Sequence, residues 1–402
     1  MLNPRSWGLT VLLGALAGMT ALAVDMSLPS LPTITSSFKT DTQGVQLTLS
    51  LFLVGYAGAQ LFCGPLSDRF GRRRVLVAGL AIYTVAGYAC SVSQSIEVLV
   101  ASRLVQGCGA CVGPVLGRAV VRDHMTGPRA VQTLSYITLT MSVAPLVAPV
   151  IGGFLINHFG WRAIFVFLGS FGLVLLTATL LLFPESLKNP DPHALRLGRL
   201  IANAGAFFSN RRSVGCALVN GFVFAGLFSF LSGSPFVLID IYGVPVGQFG
   251  FYFALSALGL ISGAFLNGRL AHRYASEQVM RGGFALLLAA AAVVVGIAAT
   301  RIGGAIAIML PIMGYVMALA LILPNATAAA MEPLPHMAGL AASLMGAIQM
   351  GSGSLSGLAV AALYDGTPMP MAGTIAVMAV GACASYFLLV RRAGGATHPP
   401  GG

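Results

Sequence analysis

The stretch Gly64–Arg74, GPLSDRFGRRR, decides how the rest of the chain is read. It sets Asp68, Arg69, Arg72, Arg73 and Arg74 between two long apolar runs. Arginines in that density do not sit in hydrocarbon, where one charge at mid-helix costs about 2.5–3.5 kcal/mol. The stretch is therefore a loop between two membrane-spanning helices. A basic loop this short stays on the cytoplasmic side, which fixes the orientation of every other segment. Gly64, Pro65 and Gly71 suit a tight turn at a helix end.

Composition leads to the same class. Of 402 residues, 57% are hydrophobic and 8% charged, against about 25% charged in soluble domains. The mean hydropathy is +0.88. This describes a polytopic membrane protein. A span takes about 20 apolar residues, so the chain holds about a dozen with short loops. The net charge of +11 does not point to nucleic acid, because the arginines lie in short loops rather than on one polar face. All six cysteines (63, 90, 108, 111, 216 and 383) fall in apolar runs. Cys108 and Cys111, three apart on a helix inside the bilayer, read as packing rather than a redox or metal pair. The apolar run from Trp7 to Val24 exceeds the usual core of a signal peptide, about 7–15 residues, and reads as the first span.

Twelve spans are predicted, at 7–29, 44–66, 74–93, 97–119, 132–156, 161–184, 213–238, 246–268, 278–300, 302–324, 338–361 and 370–391. The long polar segment 185–212 reads as a cytoplasmic central linker between two six-helix bundles, 1–184 and 213–392, with a disordered tail over 393–402. With both termini inside, 18 of the 22 basic residues fall on the cytoplasmic side. Lys39, Arg162 and Arg301 fall outside, and Arg103 is left within a span. Positive residues in short loops stay inside, so the bias supports this topology. The loop after span 8, NGRLAHRYASEQ (Asn267–Gln278), is a degraded echo of GPLSDRFGRRR at the same place in the second half. A repeat on that scale fits a transporter built around a central site.

Polar groups at membrane depth are functional candidates by default. Asp25, in VDMSLPSLP late in span 1, lies about 27 Å along the helix from Trp7, towards the outer third. Arg103 opens span 4 in RLVQGCGA and falls at a similar depth if helices 1 and 4 are neighbours. A carboxylate in a low-dielectric cavity binds protons more tightly than in water, and a nearby cation reverses this. A group that exchanges a proton as its cavity opens to either side needs that tunability. The plainer reading makes Asp25 a hydrated interfacial residue, with Pro29 and Pro32 ending the helix, and Arg103 a structural clamp. Pro145, Pro149, Gly152 and Gly153 share span 5, where they bend the helix and permit close contact. Tyr56, Gln106, Phe224 and Phe228 are polar or aromatic residues that could line a cavity, although each alone reads more readily as packing. The six histidines all fall in loops or the tail. No phosphate loop, H-E-x-x-H or G-x-S-x-G occurs, so ATP-driven and hydrolase chemistry lack residues.

These motifs together resemble the major facilitator superfamily, in particular its twelve-span drug:proton antiporters of the bicyclomycin/chloramphenicol-resistance (Bcr/CflA) type. GPLSDRFGRRR matches the family's loop between helices 2 and 3, RLVQGCGA its helix-4 motif R-x-x-Q-G-x-G-A, and DMSLPSLP the subfamily's D-x-Y-L-P-x-L-P, with Ser27 in place of tyrosine. FSFLSGSPFVLIDIYGV in span 7 is also similar. The antiporter motif G-P-x-x-G-G appears as Ala148-Pro149-Val150-Ile151-Gly152-Gly153. The resemblance implies an all-α membrane protein with the major facilitator fold. It implies a proton-coupled multidrug efflux transporter in the bacterial inner membrane that exports bulky apolar compounds by alternating access. Protons, a small-molecule substrate and the bilayer would be its partners, the proton gradient would stand in place of a cofactor, and the chain is expected to be a monomer. Asp25 would be the proton- and substrate-linked carboxylate, and Arg103 the arginine coupled to its protonation. Asp68 would gate the cytoplasmic side with Arg72 and Asp123, and an anion there also suits the amino end of helix 11. Export of a small metabolite such as an amino acid, or a non-transporting sensor or scaffold, remains open.

Overall fold

A computed structural model describes residues 7–125, 127–187, 189–334 and 338–391. The expected tail, 393–402, and the basic residues Arg5, Lys188 and Arg392 lie outside the described residues. All secondary structure among the described residues is helical. That is what hydrocarbon demands of a chain with no closed barrel, since a helix satisfies its own backbone groups.

Twelve helical segments are long and apolar enough to cross a membrane. In order they are Trp7–Phe38, Thr42–Phe70, Arg72–Ser91, Ile96–His124, Gln132–Phe159, Arg162–Leu182, Arg211–Ile241, Val246–Leu270, Ser276–Thr300, Gly304–Met331, Gly339–Ala362 and Met369–Val390, numbered here as spans 1 to 12. The expected number and sequence of spans hold. Several ends run past their expected places, those of spans 1 and 10 the furthest. Span 1 continues to Phe38 rather than 29, because Pro32 occupies the first turn of a resumed helix, Leu31–Phe38, where its missing N–H costs nothing. Span 10 continues to Met331 rather than 324. Pro324 sits inside this helix, and Asn325 beside it donates from Nδ2 to Leu321 O and to Asn267 Oδ1 of span 8 (both 2.8 Å).

The chain forms two compact units, one of residues 1–196 with 238–254, the other of 197–237 with 255–402. In the first, span 1 packs on span 5, span 4 fits against spans 2 and 3, and span 3 packs on span 6. In the second, span 7 packs on span 11, and span 9 on spans 10 and 12. Glycines 259 and 263 of span 8 there bring it against the span 10 backbone. Each pairing in one unit thus has its counterpart six spans on in the other, which is the internal repeat hinted at by the two loops. The segment 185–212 divides between the units. Glu185 to Arg196 belongs to the first, while a further helix, Leu197–Ser209, belongs to the second.

Candidate functional site

The first unit holds a buried polar centre. Span 1 is interrupted where Asp25 ends the helix Trp7–Asp25. Pro29 cannot donate a backbone hydrogen bond, and the chain passes through a short 3₁₀ turn, Leu28–Ser30, before the helix resumes. Two hydroxyls fold back onto carbonyls of the turn: Ser27 Oγ donates to Val24 O (2.8 Å) and Ser30 Oγ to Ser27 O (2.6 Å). Because the span is 32 residues long, Asp25 lies only a little past its middle. That corrects the expectation of an outer-third position, which took the prolines as the end of the helix. Asp25 is 5% exposed. Its carboxylate makes no hydrogen bond or ion pair with a described side chain.

Arg103 is 1% exposed and lies in the helix Ile96–Ala110 of span 4. Its guanidinium fork reaches three oxygens. NH1 donates to Gln106 Oε1 (2.7 Å), NH2 to Ala23 O (3.1 Å) and Nε to Thr48 O (3.4 Å). The Phe52 ring lies 4.3 Å from the guanidinium carbon and the Phe165 ring 5.7 Å. The charge is therefore solvated by carbonyls and π faces rather than by a carboxylate. Arg103 does not pair with Asp25, but it grips the span 1 backbone two residues before it. The neighbouring glycines of R-x-x-Q-G-x-G-A make this approach possible. A Cβ at Gly107 would run into Phe52 O, so only glycine lets span 4 lie this close to span 2.

The antiporter-motif helix bears on the same place. Helix Gly127–Phe159 continues through Pro145 and Pro149. A Cβ on Gly152 would strike the carbonyl of Met26, the residue after Asp25. One on Gly153 would lie 3.0 Å from Val246 O. Ala148, where the family motif carries glycine, is fully buried. Of the other candidates, Gln106 belongs to the Arg103 cluster. Tyr56 is buried on span 2 one turn beyond Phe52. Phe224 and Phe228 lie in the second unit, with ring centroids 4.9 Å apart, over Gly353 of span 11.

A second cluster forms at Gly64–Arg74, where the expected loop shrinks to Gly71 alone: helix Thr42–Phe70 runs on through Pro65, and helix Arg72–Ser91 starts directly after the glycine. Arg72 bridges two carboxylates, pairing with Asp68 and, through Nε, with Asp123 Oδ2 at the end of span 4 (3.0 Å). It also donates to Ser67 Oγ. The expected trio of Asp68, Arg72 and Asp123 is thus brought together, with the arginine in the middle. Sequence reasoning missed the fourth member, Glu185. Its Oε1 accepts the N–H groups of Arg72 (2.9 Å), Ser186 (3.0 Å) and Leu187 (3.1 Å), and its Oε2 that of Arg73 (3.2 Å). It caps the start of span 3, where free N–H groups and the helix dipole favour an anion. Gly71 makes room for it. The glycine has φ +98°, and a Cβ there would come 2.5 Å from Glu185 Oε2. The available signal was an acidic residue directly after span 6 on an otherwise basic face. Asp191 N donates to Asp68 O (3.0 Å), which ties the same segment to this cluster again.

The family model of the Major Facilitator Superfamily matches residues 13–358. The chain belongs to the major facilitator superfamily. Among its relatives in the superfamily is the bicyclomycin resistance protein homolog of Haemophilus influenzae, 32% identical over 387 residues, 94% of this chain and 95% of that one. The MFS-type transporter YdgK of Bacillus subtilis is 34% identical over 95% of both chains. The multidrug resistance protein D of Escherichia coli is 28% identical over 89% of this chain and 90% of that one. The fold is that of solved major facilitator structures. The xylose transporter XylE of E. coli superposes with a TM-score of 0.75 at 15% identity, covering 96% of this chain and 98% of that one. A bacterial homolog of the human lysosomal transporter Spinster gives 0.74 at 16% identity, covering both chains fully.

Proposed function

We propose that the protein is a drug:proton antiporter of the bacterial inner membrane that exports bulky, partly apolar compounds by alternating access, with both termini in the cytoplasm. The observation that carries this reading is Asp25, an enclosed carboxylate at a break in span 1 with no cation paired to it. A charge at that depth is expensive, so the site favours exchange between a protonated form and a form that meets a solvent path or a cationic ligand. Gly152 of the antiporter motif rests on the next residue, so a movement of span 5 is transmitted to the break. Arg103, held by carbonyls, stays charged and keeps span 1 against span 4 while Asp25 changes state. The resistance functions named for the relatives supply the substrate class.

In this reading Asp68, Arg72 and Asp123 form a cytoplasmic latch, with Glu185 keeping Arg72 in place. The proton gradient supplies the driving force, the chain acts as a monomer, and no residue performs catalysis.

The test uses inverted membrane vesicles carrying an imposed proton gradient, challenged with apolar antibiotics and dyes. Wild type should release protons on substrate addition, and Asp25→Asn should not. Release from both would move the proton site away from Asp25. Silence from wild type across the panel, and then proton release on amino acids, would replace drug export with metabolite export.

A further inference from the structure

Beside Gly71 lies a cavity of about 480 Å³ whose walls include Phe70, Arg73, Arg74, Val77, Leu180 and Pro190. It is separate from the Arg103 centre and meets the latch only through Gly71 and Glu185. We propose that it binds the headgroup phosphate of an anionic glycerophospholipid, with an acyl chain leaving along spans 3 and 6.

Charge is the first argument. Arg74 is exposed and makes no ion pair with a described residue. Arg73 is anchored through NH2 to Leu180 O (2.6 Å), while its Nε is buried with no acceptor. Glu185 also lines the cavity, but both its oxygens are turned to backbone N–H groups. Asp68 and Asp123 are engaged by Arg72. Two cations thus line the cavity against the single carboxylate of Glu185, which leaves it net positive, and an orphaned donor sits among them. A phosphodiester carries one negative charge and several acceptor oxygens, which suits an arginine pair.

Depth is the second argument. Span 3 begins at Arg72 and span 6 ends at Leu182, so the cavity lies where two packed spans leave the hydrocarbon, at headgroup level. Its apolar wall gives way to outward-facing side chains of span 6: Val174 and Leu181 are each more than 60% exposed. A free phosphate has no use for that wall, whereas an acyl chain does. Basic pockets between helices at the membrane surface are the usual place for such headgroups.

The test is native mass spectrometry of the full-length protein in neutral detergent, titrated with phosphatidylglycerol or phosphatidylcholine. Wild type should take up phosphatidylglycerol in preference to phosphatidylcholine. Arg73→Gln with Arg74→Gln should weaken that uptake roughly 30-fold, from about fivefold for each basic residue at a membrane surface. Arg269→Gln with Arg273→Gln, two basic residues of the second unit, should leave it unchanged. Val77→Trp keeps both arginines and fills the cavity, so it tests the site if the double variant does not fold, and it too should lose the lipid. Uptake by Val77→Trp or by the double variant equal to wild type would overturn the proposal. So would displacement of the lipid by inorganic phosphate alone, which would make this a site for free anions.

Discussion

Replacing Arg103 with lysine keeps the charge and removes the fork, so it isolates what the guanidinium geometry contributes. The three acceptors belong to three different places: Ala23 O on span 1, Thr48 O on span 2 and Gln106 Oε1 on span 4 itself. One ammonium nitrogen at the end of a shorter chain meets Gln106 and at most one carbonyl. The bond to Thr48 is long at 3.4 Å and contributes least. The bond to Ala23 is a charge-assisted one, of a kind that contributes about 1.5–3 kcal/mol in soluble proteins. Stacking on Phe52 adds about 1–2 kcal/mol when desolvated. Against this, hydrogen bonds between membrane helices average only about 0.6 kcal/mol, because the unfolded chain in lipid also finds partners. Neutral pairs set that average, whereas Arg103 is charged and enclosed, so the expected loss lies at about 2–3 kcal/mol. Denaturation from mixed micelles, followed by circular dichroism, reads the change. A second readout is the initial rate of substrate-driven proton release. Arg103→Lys should lose stability and slow transport even though no charge has been removed. Stability within about 0.5 kcal/mol of wild type, with full transport, would refute the claim that the fork ties span 1 to span 4.

The other predictions concern glycines and the latch. Gly71→Ala should destabilise by about 1–3 kcal/mol, because a left-handed φ is forced on a residue with a Cβ. Part of that loss should disappear in a Glu185→Ala background, where the clash with the carboxylate is gone, and a double-mutant cycle on thermal unfolding reads the difference. Glu185→Ala alone should cost about 0.5–2 kcal/mol, as the loss of a helix cap does, and should increase proteolytic cutting after span 6. Gly152→Ala should impair transport more than Gly153→Ala, since the first methyl strikes Met26 O and the second only approaches Val246 O; dye efflux from cells expressing equal amounts of each variant ranks them. Arg72→Lys keeps the charge but loses the fork that reaches both Asp68 and Asp123, so it should lower the thermal unfolding midpoint, and less so in an Asp68→Asn background where one of the two pairs is already gone.

Much of the fold was legible because hydrocarbon leaves a chain few options. Twelve apolar runs separated by basic loops admit one topology once GPLSDRFGRRR is placed, and the helical segments fall where the runs do. The end of span 1 was misplaced for a plain reason. Pro29 and Pro32 read as stops, yet Pro32 sits in the first turn of a resumed helix. Proline marks a lost hydrogen bond. Whether the helix ends there depends on what else can satisfy the freed carbonyl, and that is a matter of packing.

The site divides in the same way. Asp25, Arg103, Gln106, Asp68, Arg72 and Asp123 stand out in sequence because charged and amide groups are rare in a chain this apolar. Their partners do not stand out. Arg103 is held by the carbonyls of Ala23 and Thr48, and any residue type offers a carbonyl. Glu185 is held by four backbone N–H groups, for which the same is true. The glycines are the legible trace of this hidden backbone chemistry. Gly71, Gly107 and Gly152 each stand where a Cβ would displace, in turn, the Glu185 carboxylate, the Phe52 carbonyl and the Met26 carbonyl. A glycine inside a motif that also carries a charge is thus the place to look for the backbone group that the charge, or the helix bearing it, has come to meet. In this chain that rule leads from Gly152 to the break at Asp25, and from Gly71 to the cap on Arg72.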